Sequence, residues 1–480
     1  MDHFDQSSLW CCREDFSADK SQHHGVPTVT SKEQMKVEES ISAYYQFIYN
    51  KKPFKTEDLK LERSRHVAYL RHGLKNLSKS FEFLDASRPW LVYWCLHALH
   101  LLEESLDLDE QQSVIDFLAR CQCSDGGFGG GPGQLAHLAP TFAAVNALVT
   151  IGTPAAFAVI NRQSLADFLA RMVTAEGSFR MHEGGEVDIR GTYCAVSVAR
   201  LCRLAIHPLM SRTASWIVHC QTYEGGFSGS PGLEAHGGYT FCGLAALALL
   251  DCQHLADNNR LLRWVASRQM RLSGGFQGRT NKLVDGCYSF WQGALFPLLH
   301  HTLTSRDNHA DTDSCWLFHC EALQNYLLVC CQHPSGGLID KPGKSPDFYH
   351  TCYTLSGLSI AQHFCYGNTS KLSVVGHDAN EVAMTHPLYN VGMSAVHAAK
   401  SYFMQQPDVQ PSVFSASPSS ATHNANQVPS RVNGTNNCND RMDASADAVT
   451  EASQRLHISF AQAAPSVTPN SGCSLRQGPD

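Results

Sequence analysis

The feature that most constrains this chain is an internal repeat marked by glycine-rich turns. The turns are DGGFGG, EGSFR, EGGFSG, SGGFQG and SGGLID; they begin at residues 125, 176, 224, 273 and 335, which is 48 to 62 residues apart. After each turn and a short polar loop comes an apolar segment, in order PTFAAVNAL, GTYCAVSVARL, YTFCGLAAL, CYSFWQGAL and HTCYTLSGL. We predict that these segments are helices that begin at Pro140, Gly191, Tyr239, Cys287 and His350. Repeated units of this size stack on their neighbours and bury a shared core.

Two kinds of helix alternate along the repeat. The segments after the turns are apolar nearly all round, whereas stretches between them, such as NNRLLRWVASRQM (Asn258 to Met270), are amphipathic. The first kind suits a buried inner layer and the second an outer layer that faces solvent. The sequence therefore predicts an all-α chain that closes into an alpha-alpha (α6/α6-type) barrel with repeats of about 50 residues. An open solenoid of the same helices is the alternative.

Composition divides the chain into a barrel and two tails. The tail after residue 405 contains SASPSSATHNANQVPSRVNGTNNCND, which is rich in Ser, Ala, Asn and Pro and too poor in large apolar residues to form a core. We predict that residues 1–30 and 406–480 are disordered. Residues 31–405 then form the barrel, together with an N-terminal helical segment.

Charge and cysteine content limit the partners and the compartment. The net charge of -7 leaves no global basic surface, so we expect no nucleic-acid partner. The 19 cysteines are scattered through apolar segments, as is typical of a reducing compartment, and MDHFDQSSLWCCREDF has no apolar signal-peptide core. The longest apolar runs are too short to span a bilayer. We therefore expect a cytoplasmic protein without stable membrane insertion.

One rim of the predicted barrel carries residues that could bind a metal ion. Cys287 and His350 each begin a predicted inner helix in successive repeats, and Asp285 lies two residues before Cys287. A thiolate, an imidazole and a carboxylate, with the fourth position open, form the donor set of a catalytic zinc site. In the alternative interpretation Asp285 caps a helix, Cys287 fills the core, and His350 is an ordinary polar helix start.

A second polar group falls in the loops or helix starts of two adjacent repeats. Its members are His236, Arg279, Lys282 and Tyr288. Three potential cations and a phenol near helix N-termini indicate a local pocket for phosphate or diphosphate in a chain that is acidic overall. Solvated loop charges would give the same pattern.

Aromatic residues recur at this rim and just inside it. They are Trp90, Trp94, Tyr193, Tyr239, Trp291 and Tyr349. If they line the lumen beside a cationic pocket, they would suit a long apolar tail that carries a diphosphate head. An ordinary aromatic core is the alternative.

These segments together resemble the protein farnesyltransferase beta subunits of the CaaX prenyltransferase family. The resemblance runs over residues 55 to 405 and includes RPWLVYWCLHALHLLEE, EAHGGYTFCGLAALALL and GRTNKLVDGCYSFWQGAL. It implies a heterodimer with a farnesyltransferase alpha subunit, and transfer of farnesyl from farnesyl diphosphate to the cysteine of C-terminal CaaX motifs in proteins such as small GTPases. It also implies one Zn²⁺ per beta subunit, which binds the substrate thiolate, and Mg²⁺ with the diphosphate.

The resemblance assigns roles to individual residues. The zinc ligands would be Asp285, Cys287 and His350. The diphosphate-binding residues would be His236, Arg279, Lys282 and Tyr288. The isoprenoid-binding residues would be Arg190, Tyr193, Tyr239, Cys242, Trp291 and Trp90, of which Trp90 would shorten the pocket to suit a fifteen-carbon chain. The peptide-binding residues would be Trp94, His137, Ala139 and Tyr349. Asp340, in GGLIDKPGK, would bind Mg²⁺; a turn acid before Lys341 is its alternative interpretation.

Three competing functions are compatible with parts of this pattern. A geranylgeranyltransferase type I beta subunit would use the same chemistry with another donor, and Trp90 and Asp340 argue against it. A terpene cyclase-like barrel needs a strong acid in the lumen, but the nearest acidic cluster, DTDS (Asp311 to Ser314), falls in a polar loop. A non-enzymatic helical-repeat scaffold would need neither a metal triad nor a cationic rim.

Overall fold

The computed structural model describes residues 26–50, 58–205, 210–304, 317–364 and 372–412. The DTDS stretch lies outside these residues. Most of both predicted tails also lies outside them, so the disorder of the tails stays a prediction. The described structure extends a few residues past the predicted barrel boundaries at each end, and these boundaries stay a prediction. The first helix begins at Val29, because the Thr28 side chain caps it. Beyond residue 405, Val409 forms a β-bridge with Leu204.

Within the described residues an inner ring of helices surrounds a lumen. Its members are α3 (Arg88–Leu101), α5 (Leu138–Ile151), α8 (Ile189–Leu201), α10 (Gly237–Leu249), the pair α12 (Tyr288–Trp291) and α13 (Leu295–Thr304), and α15 (Phe348–His363). Each inner helix packs against the next, and α15 packs against α3. The ring is therefore closed, which confirms the predicted barrel and excludes the open solenoid.

An outer layer surrounds this ring. Its members are α2 (Arg63–Lys75), α4 (Leu108–Cys121), α7 (Arg162–Met172), α9 (Thr213–His219), α11 (Asn258–Ala266) and α14 (Cys320–Cys330). The remaining α-helices are α1 (Val29–Tyr49), α6 (Pro154–Ala158) and α16 (Met393–Met404), and short 3-10 helices cover Lys79–Ser87, Gln253–Leu255 and Asp378–Asn380. The described residues contain isolated β-bridges but no strand. None of their helices combines the length and hydropathy needed to cross a bilayer.

The glycine turns seat each repeat on the next, and the last turn closes the ring. Gly126 and Gly336 have φ values of 115° and 93°, which side-chain-bearing residues rarely adopt. A Cβ at Gly126 would overlap the backbone of Ser164 in α7, and one at Gly336 would overlap the backbone of Arg65 in α2. The turn after α4 thus packs against the next outer helix, α7, and the turn after α14 packs against the first outer helix, α2.

The N-termini of the inner helices lie at one rim, which hydrogen bonds link from repeat to repeat. The backbone N–H of Leu138 donates to Met181 O at 2.7 Å, and that of Gly237 donates to Gly278 O at 2.8 Å. Side chains at these helix starts are therefore presented to a common opening.

Four inner helices begin two residues earlier than predicted. They start at Leu138, Ile189, Gly237 and Phe348, rather than at Pro140, Gly191, Tyr239 and His350. The residue before each start accepts a backbone N–H from the first turn with its side chain; these caps are His137, Asp188, His236 and Asp347. The polar cap, and not the first strongly apolar residue, sets the boundary.

The fourth inner helix departs from this pattern. Asp285 occupies the capping position here: its N–H donates to Phe276 O at 3.0 Å, as that of His236 donates to Phe227 O, and its Oδ1 accepts the N–H of Cys287 at 2.9 Å. The helix nevertheless starts late, because α12 begins only at the residue after Cys287. The segment predicted as one helix is also interrupted between α12 and α13, around Gly293, a residue with poor helix propensity.

Candidate active site

Asp285, Cys287 and His350 converge at the rim. One potential ligand atom from each lies within 4.8 Å of the other two, and the part of the chain that the structure describes holds no other such cluster. Nε2 of His350 is 3.3 Å from Oδ1 of Asp285. Asp285 also makes the capping contact of the alternative interpretation, but a cap alone does not explain why all three donors meet.

A further carboxylate orients the ring of His350. Asp347 caps α15, where it accepts the N–H of His350 at 2.7 Å, and its Oδ2 lies 2.6 Å from Nδ1. Nδ1–H therefore donates to Asp347, and the buried Nε2 is left without a hydrogen-bond partner. A carboxylate behind the imidazole is the usual support of a metal-ligating histidine. Our sequence reasoning missed Asp347, although its position three residues before His350 is a capping signal.

Burial and charge determine how this cluster holds protons. Burial lowers the pKa of His350, but the carboxylates of Asp285 and Asp347 outweigh it and raise the pKa to about 10. Burial and the nearby Asp285 raise the pKa of the Cys287 thiol. Burial acts to raise the pKa of Asp285, but the neighbouring imidazole of His350 lowers it overall. The cluster thus holds protons where a cation would sit, and its donor set fits a divalent metal ion.

Three of the predicted anion-binding side chains, His236, Arg279 and Tyr288, come together, and one of the expected cations is neutral. Nδ1 of His236 accepts the N–H of Gly238 at 3.0 Å, so Nε2–H donates to the hydroxyl oxygen of Tyr288 at 3.0 Å. Burial and the charge of Arg279 lower the pKa of His236 to about 4. The pocket therefore has two cations and not three at neutral pH. The hydroxyl hydrogen of Tyr288 is left to donate to an anion.

Arg279 and Lys282 lie in the segment Gly278–Val284, here termed the cation loop. Nη1 of Arg279 is 3.0 Å from Oε2 of Glu234, and both side chains are about half exposed. Lys282 is exposed. A Cβ at Gly278 would overlap the ring of Tyr288, so this glycine lets the loop approach the phenol. The sequence reasoning missed Glu234, which partly neutralises the pocket.

Aromatic side chains from all the inner helices form an unbroken circle. In order around the lumen they are Trp90, Trp94, Tyr349, Tyr353, Trp291, Phe241, Tyr193 and Phe142, with neighbouring ring centroids 4.3 to 5.7 Å apart. Four members of the circle are partly exposed, although the inner helices that carry them are otherwise largely buried; these are Trp90, Trp94, Trp291 and Tyr349. They therefore face an accessible lumen. Phe142, Phe241 and Tyr353 were not among the predicted residues.

The other predicted isoprenoid-binding residues lie near this circle. The ring of Tyr239 contacts His236, with centroids 4.8 Å apart, and the guanidinium of Arg190 lies 5.9 Å from the Tyr239 centroid. Arg190 also forms an ion pair with Asp188 at 2.5 Å. Cys242 is buried in α10. Tyr239 thus lies between His236 of the anion pocket and the guanidinium of Arg190.

Two predicted peptide-binding residues lie away from the metal cluster, whereas Asp340 borders it: its carbonyl oxygen accepts the N–H of Gly286 at 2.7 Å. His137 and Ala139 lie at the start of α5, which packs between α3 and α8 and not against α12 or α15. The carboxylate of Asp340 lies 2.7 Å from Nζ of Lys341, and both side chains are largely buried. This ion pair is the arrangement expected of the turn acid, and the magnesium role of Asp340 stays a prediction.

The segment Thr385–Gly392 crosses the lumen deeper along the inner helices. The hydroxyl of Tyr193 donates to Leu388 O at 2.8 Å, and that of Tyr93 donates to Asn390 O at 2.7 Å. The aromatic circle therefore has an opening at the rim and backbone beneath it, as a pocket for an elongated apolar ligand requires.

Comparison with known proteins agrees with this architecture. Residues 61–391 match the family described as the prenyltransferase alpha-alpha toroid domain. The protein farnesyltransferase subunit beta of Arabidopsis thaliana is 40% identical, over 79% of this chain and 90% of that protein. The geranylgeranyl transferase type-1 subunit beta of the same plant is 30% identical, over 63% of this chain and 85% of that protein.

A solved structure shares the fold. Candida albicans protein geranylgeranyltransferase-I complexed with GGPP superposes with a TM-score of 0.58 at 21% identity, covering 72% of this chain and 99% of that chain. Farnesyltransferase beta subunits from several other organisms match at 36% to 43% identity. The chain therefore belongs to the protein farnesyltransferase beta subunit family, whose members are prenyltransferase enzymes.

Proposed function

We propose that Asp285, Cys287 and His350 bind Zn²⁺ and that the pockets beside them bind the two substrates of a protein farnesyltransferase. The chain is the catalytic beta subunit, which works with an alpha subunit. It transfers farnesyl from farnesyl diphosphate to the cysteine thiol of a C-terminal CaaX motif. The observation that carries this proposal is the position of a three-donor cluster beside both an anion pocket and an aromatic lumen.

Zn²⁺ suits the donor set because it accepts sulfur, nitrogen and oxygen ligands and leaves a fourth position for substrate. When bound, it would lower the pKa of the substrate thiol, ordinarily about 8.5, so that the thiol reacts as a thiolate at neutral pH. The chain's own residues supply the orientation. Asp347 fixes the His350 ring, and the hydrogen bond from Cys287 N–H fixes the Asp285 carboxylate. One zinc ion is expected per heterodimer.

Residues of the anion pocket stabilise the leaving group. As the substrate sulfur bonds to C1 of the farnesyl chain, the C1–O bond breaks and negative charge grows on the diphosphate. Tyr288 donates its hydroxyl hydrogen to that charge, while Arg279 and Lys282 stabilise it electrostatically. Neutral His236 holds the Tyr288 oxygen in position. Mg²⁺ would accompany the diphosphate at Asp340 once Lys341 releases this carboxylate.

The aromatic circle holds the lipid and excludes water. Trp90 packs between Trp94 and Phe142 and would limit the pocket to fifteen carbons, whereas a type I geranylgeranyltransferase would need space there. The further isoprenoid contacts are Arg190, Tyr193, Tyr239, Cys242 and Trp291. The peptide contacts are Trp94, His137, Ala139 and Tyr349. CaaX proteins such as small GTPases are the expected substrates, and the cytoplasmic location stays a prediction.

The decisive experiment measures zinc content and farnesyl transfer to a CaaX peptide, on this chain co-expressed with a farnesyltransferase alpha subunit. Cys287→Ala should lower both by more than about 100-fold, because losing a ligand costs more than losing a supporting residue. Cys220→Ala removes a buried thiol of the outer layer and is the matched control. A folded wild-type complex without zinc, or a Cys287→Ala complex with full activity, would refute the metal assignment.

A further inference from the structure

The two rim loops that carry the anion-binding residues are joined by a carboxylate with no role so far. Glu224 is the acid of the EGGFSG turn. Its Oε1 accepts the N–H of Ala235 at 3.3 Å, and its Oε2 accepts the hydroxyl of Thr280 at 3.3 Å. Ala235 immediately precedes His236, and Thr280 immediately follows Arg279. One carboxylate therefore bridges both loops.

A buried guanidinium supports the same hydroxyl from behind. Arg268 is 7% exposed, and its Nη1 donates to Thr280 Oγ1 at 2.5 Å. Its guanidinium lies 5.3 Å from the centroid of the Trp264 ring, and its buried Nε has no hydrogen-bond partner. Glu224 acts on it electrostatically, although no described carboxylate forms an ion pair with Arg268. A buried cation with so few partners is costly, which argues for a specific role of its bond to Thr280.

The cation loop needs such support. Lys282 is exposed. Its backbone N–H donates to Arg279 O and to Oε1 of Gln277, each at 3.2 Å. Asn281 has a φ of 59°, an unusual conformation outside glycine. A loop of this kind would lose conformational freedom on binding an anion unless it were already held.

We propose that Arg268, Glu224 and Thr280 are positioning residues that hold the cation loop in the conformation that binds diphosphate. The Thr280 hydroxyl is the link, since it accepts from Arg268 and donates to Glu224. These residues do not touch the ligand; they act through Arg279 and Lys282. The inference rests on the proposed diphosphate site and adds the device that organises it.

The test compares Thr280→Val with wild type in the complex with the alpha subunit. Thr280 is exposed, so its replacement by an isosteric residue should fold, whereas a change at buried Arg268 puts folding at risk. The inhibition constant of inorganic pyrophosphate and the KM for farnesyl diphosphate should rise about 5- to 10-fold, because a hydrogen bond to a charged group is lost. The kcat, the peptide KM and the zinc content should change little. Thr280→Ser should restore wild-type inhibition.

The outcomes separate this inference from the proposed function. If Arg279→Ala weakens pyrophosphate inhibition and Thr280→Val does not, the positioning role is wrong and the diphosphate site stands. If neither variant changes inhibition, the diphosphate site itself is wrong. If Thr280→Val also loses zinc, or if Thr280→Ser fails to restore inhibition, the effect is a general distortion and the positioning role is refuted.

Discussion

The metal cluster and the cation loop lie at the same rim but are organised differently. The ligands Asp285, Cys287 and His350 are largely buried, and Asp347 fixes the imidazole from behind. In the cation loop Lys282 is exposed, and Arg279 is paired with Glu234 at the surface. Buried contacts thus fix the side chains of the metal cluster, whereas in the cation loop an anion has to replace Glu234 as the partner of a half-exposed Arg279.

Exposure to solvent determines how strongly substitutions in each region should affect ligand binding. Interactions between exposed charges are screened by water and salt, whereas buried groups interact strongly and lose most when a partner is removed. Changes at the metal cluster should therefore have large effects that salt hardly alters. Changes at the cation loop should have small effects that depend on ionic strength.

The largest expected effect is the pH dependence of zinc uptake. The pKa of His350 is raised to about 10 and that of the Cys287 thiol is raised by burial, so both groups are protonated at pH 7 in the metal-free protein. Zinc must displace both protons, and its affinity should rise up to about 100-fold per pH unit between pH 6 and 8. Competition with a chelator of known affinity measures this slope.

The metal-free complex should show the opposite trend in stability. Because the folded pKa of His350 lies above its ordinary value of 6.5, its interaction with the carboxylates stabilises the folded protein fully below about pH 6.5. This stabilisation is lost as pH rises through about 10.

The pKa of His236 is near 4, so this residue stays neutral over the pH range in which zinc uptake changes. A zinc affinity that is flat between pH 6 and 8 would contradict the assigned protonation.

The second prediction concerns the carboxylate behind the imidazole. Asp347→Ala should weaken zinc binding about 10- to 100-fold, since the His350 ring loses its orientation. Asp347→Asn keeps a good helix cap but removes the charge, so it separates the two roles of this side chain. Asp107 caps the outer helix α4 in the same way and has no contact with the site, which makes Asp107→Ala the control. Equal zinc affinity in Asp347→Asn, Asp347→Ala and wild type would rule out the support.

The repeat made the metal cluster predictable because it assigned Cys287 and His350 to equivalent positions of neighbouring helices. The same regularity concealed what is special there. Asp285 caps the fourth inner helix as Asp347 caps the fifth, so Cys287 stands two residues after its cap and His350 stands three residues after its own. Alignment of apolar segments cannot reveal this, because caps lie outside those segments.

Other features depend on long-range contacts. Phe142 and Tyr353 lie on helices that are apolar nearly all round, and periodicity cannot tell which faces of such helices point to the lumen. The neutral state of His236 follows from burial and from Arg279, which is 43 residues away in sequence. Its residue type alone indicated a cation. The sequence therefore predicts which residues meet more reliably than it predicts their charge.

The smallest expected effect is at Glu234, where the substitution should strengthen anion binding rather than weaken it. Glu234→Gln releases Arg279 from an exposed ion pair, so inorganic pyrophosphate should inhibit about 2- to 5-fold more strongly at low salt. The gain should fade as salt is added, since the lost pair was already screened. Glu183 is an exposed acid on the rim of a neighbouring repeat, and Glu183→Gln controls for the change in net charge. Weaker inhibition in Glu234→Gln would mean that Glu234 orients Arg279 for the anion, and the cation loop would then be as preorganised as the metal cluster.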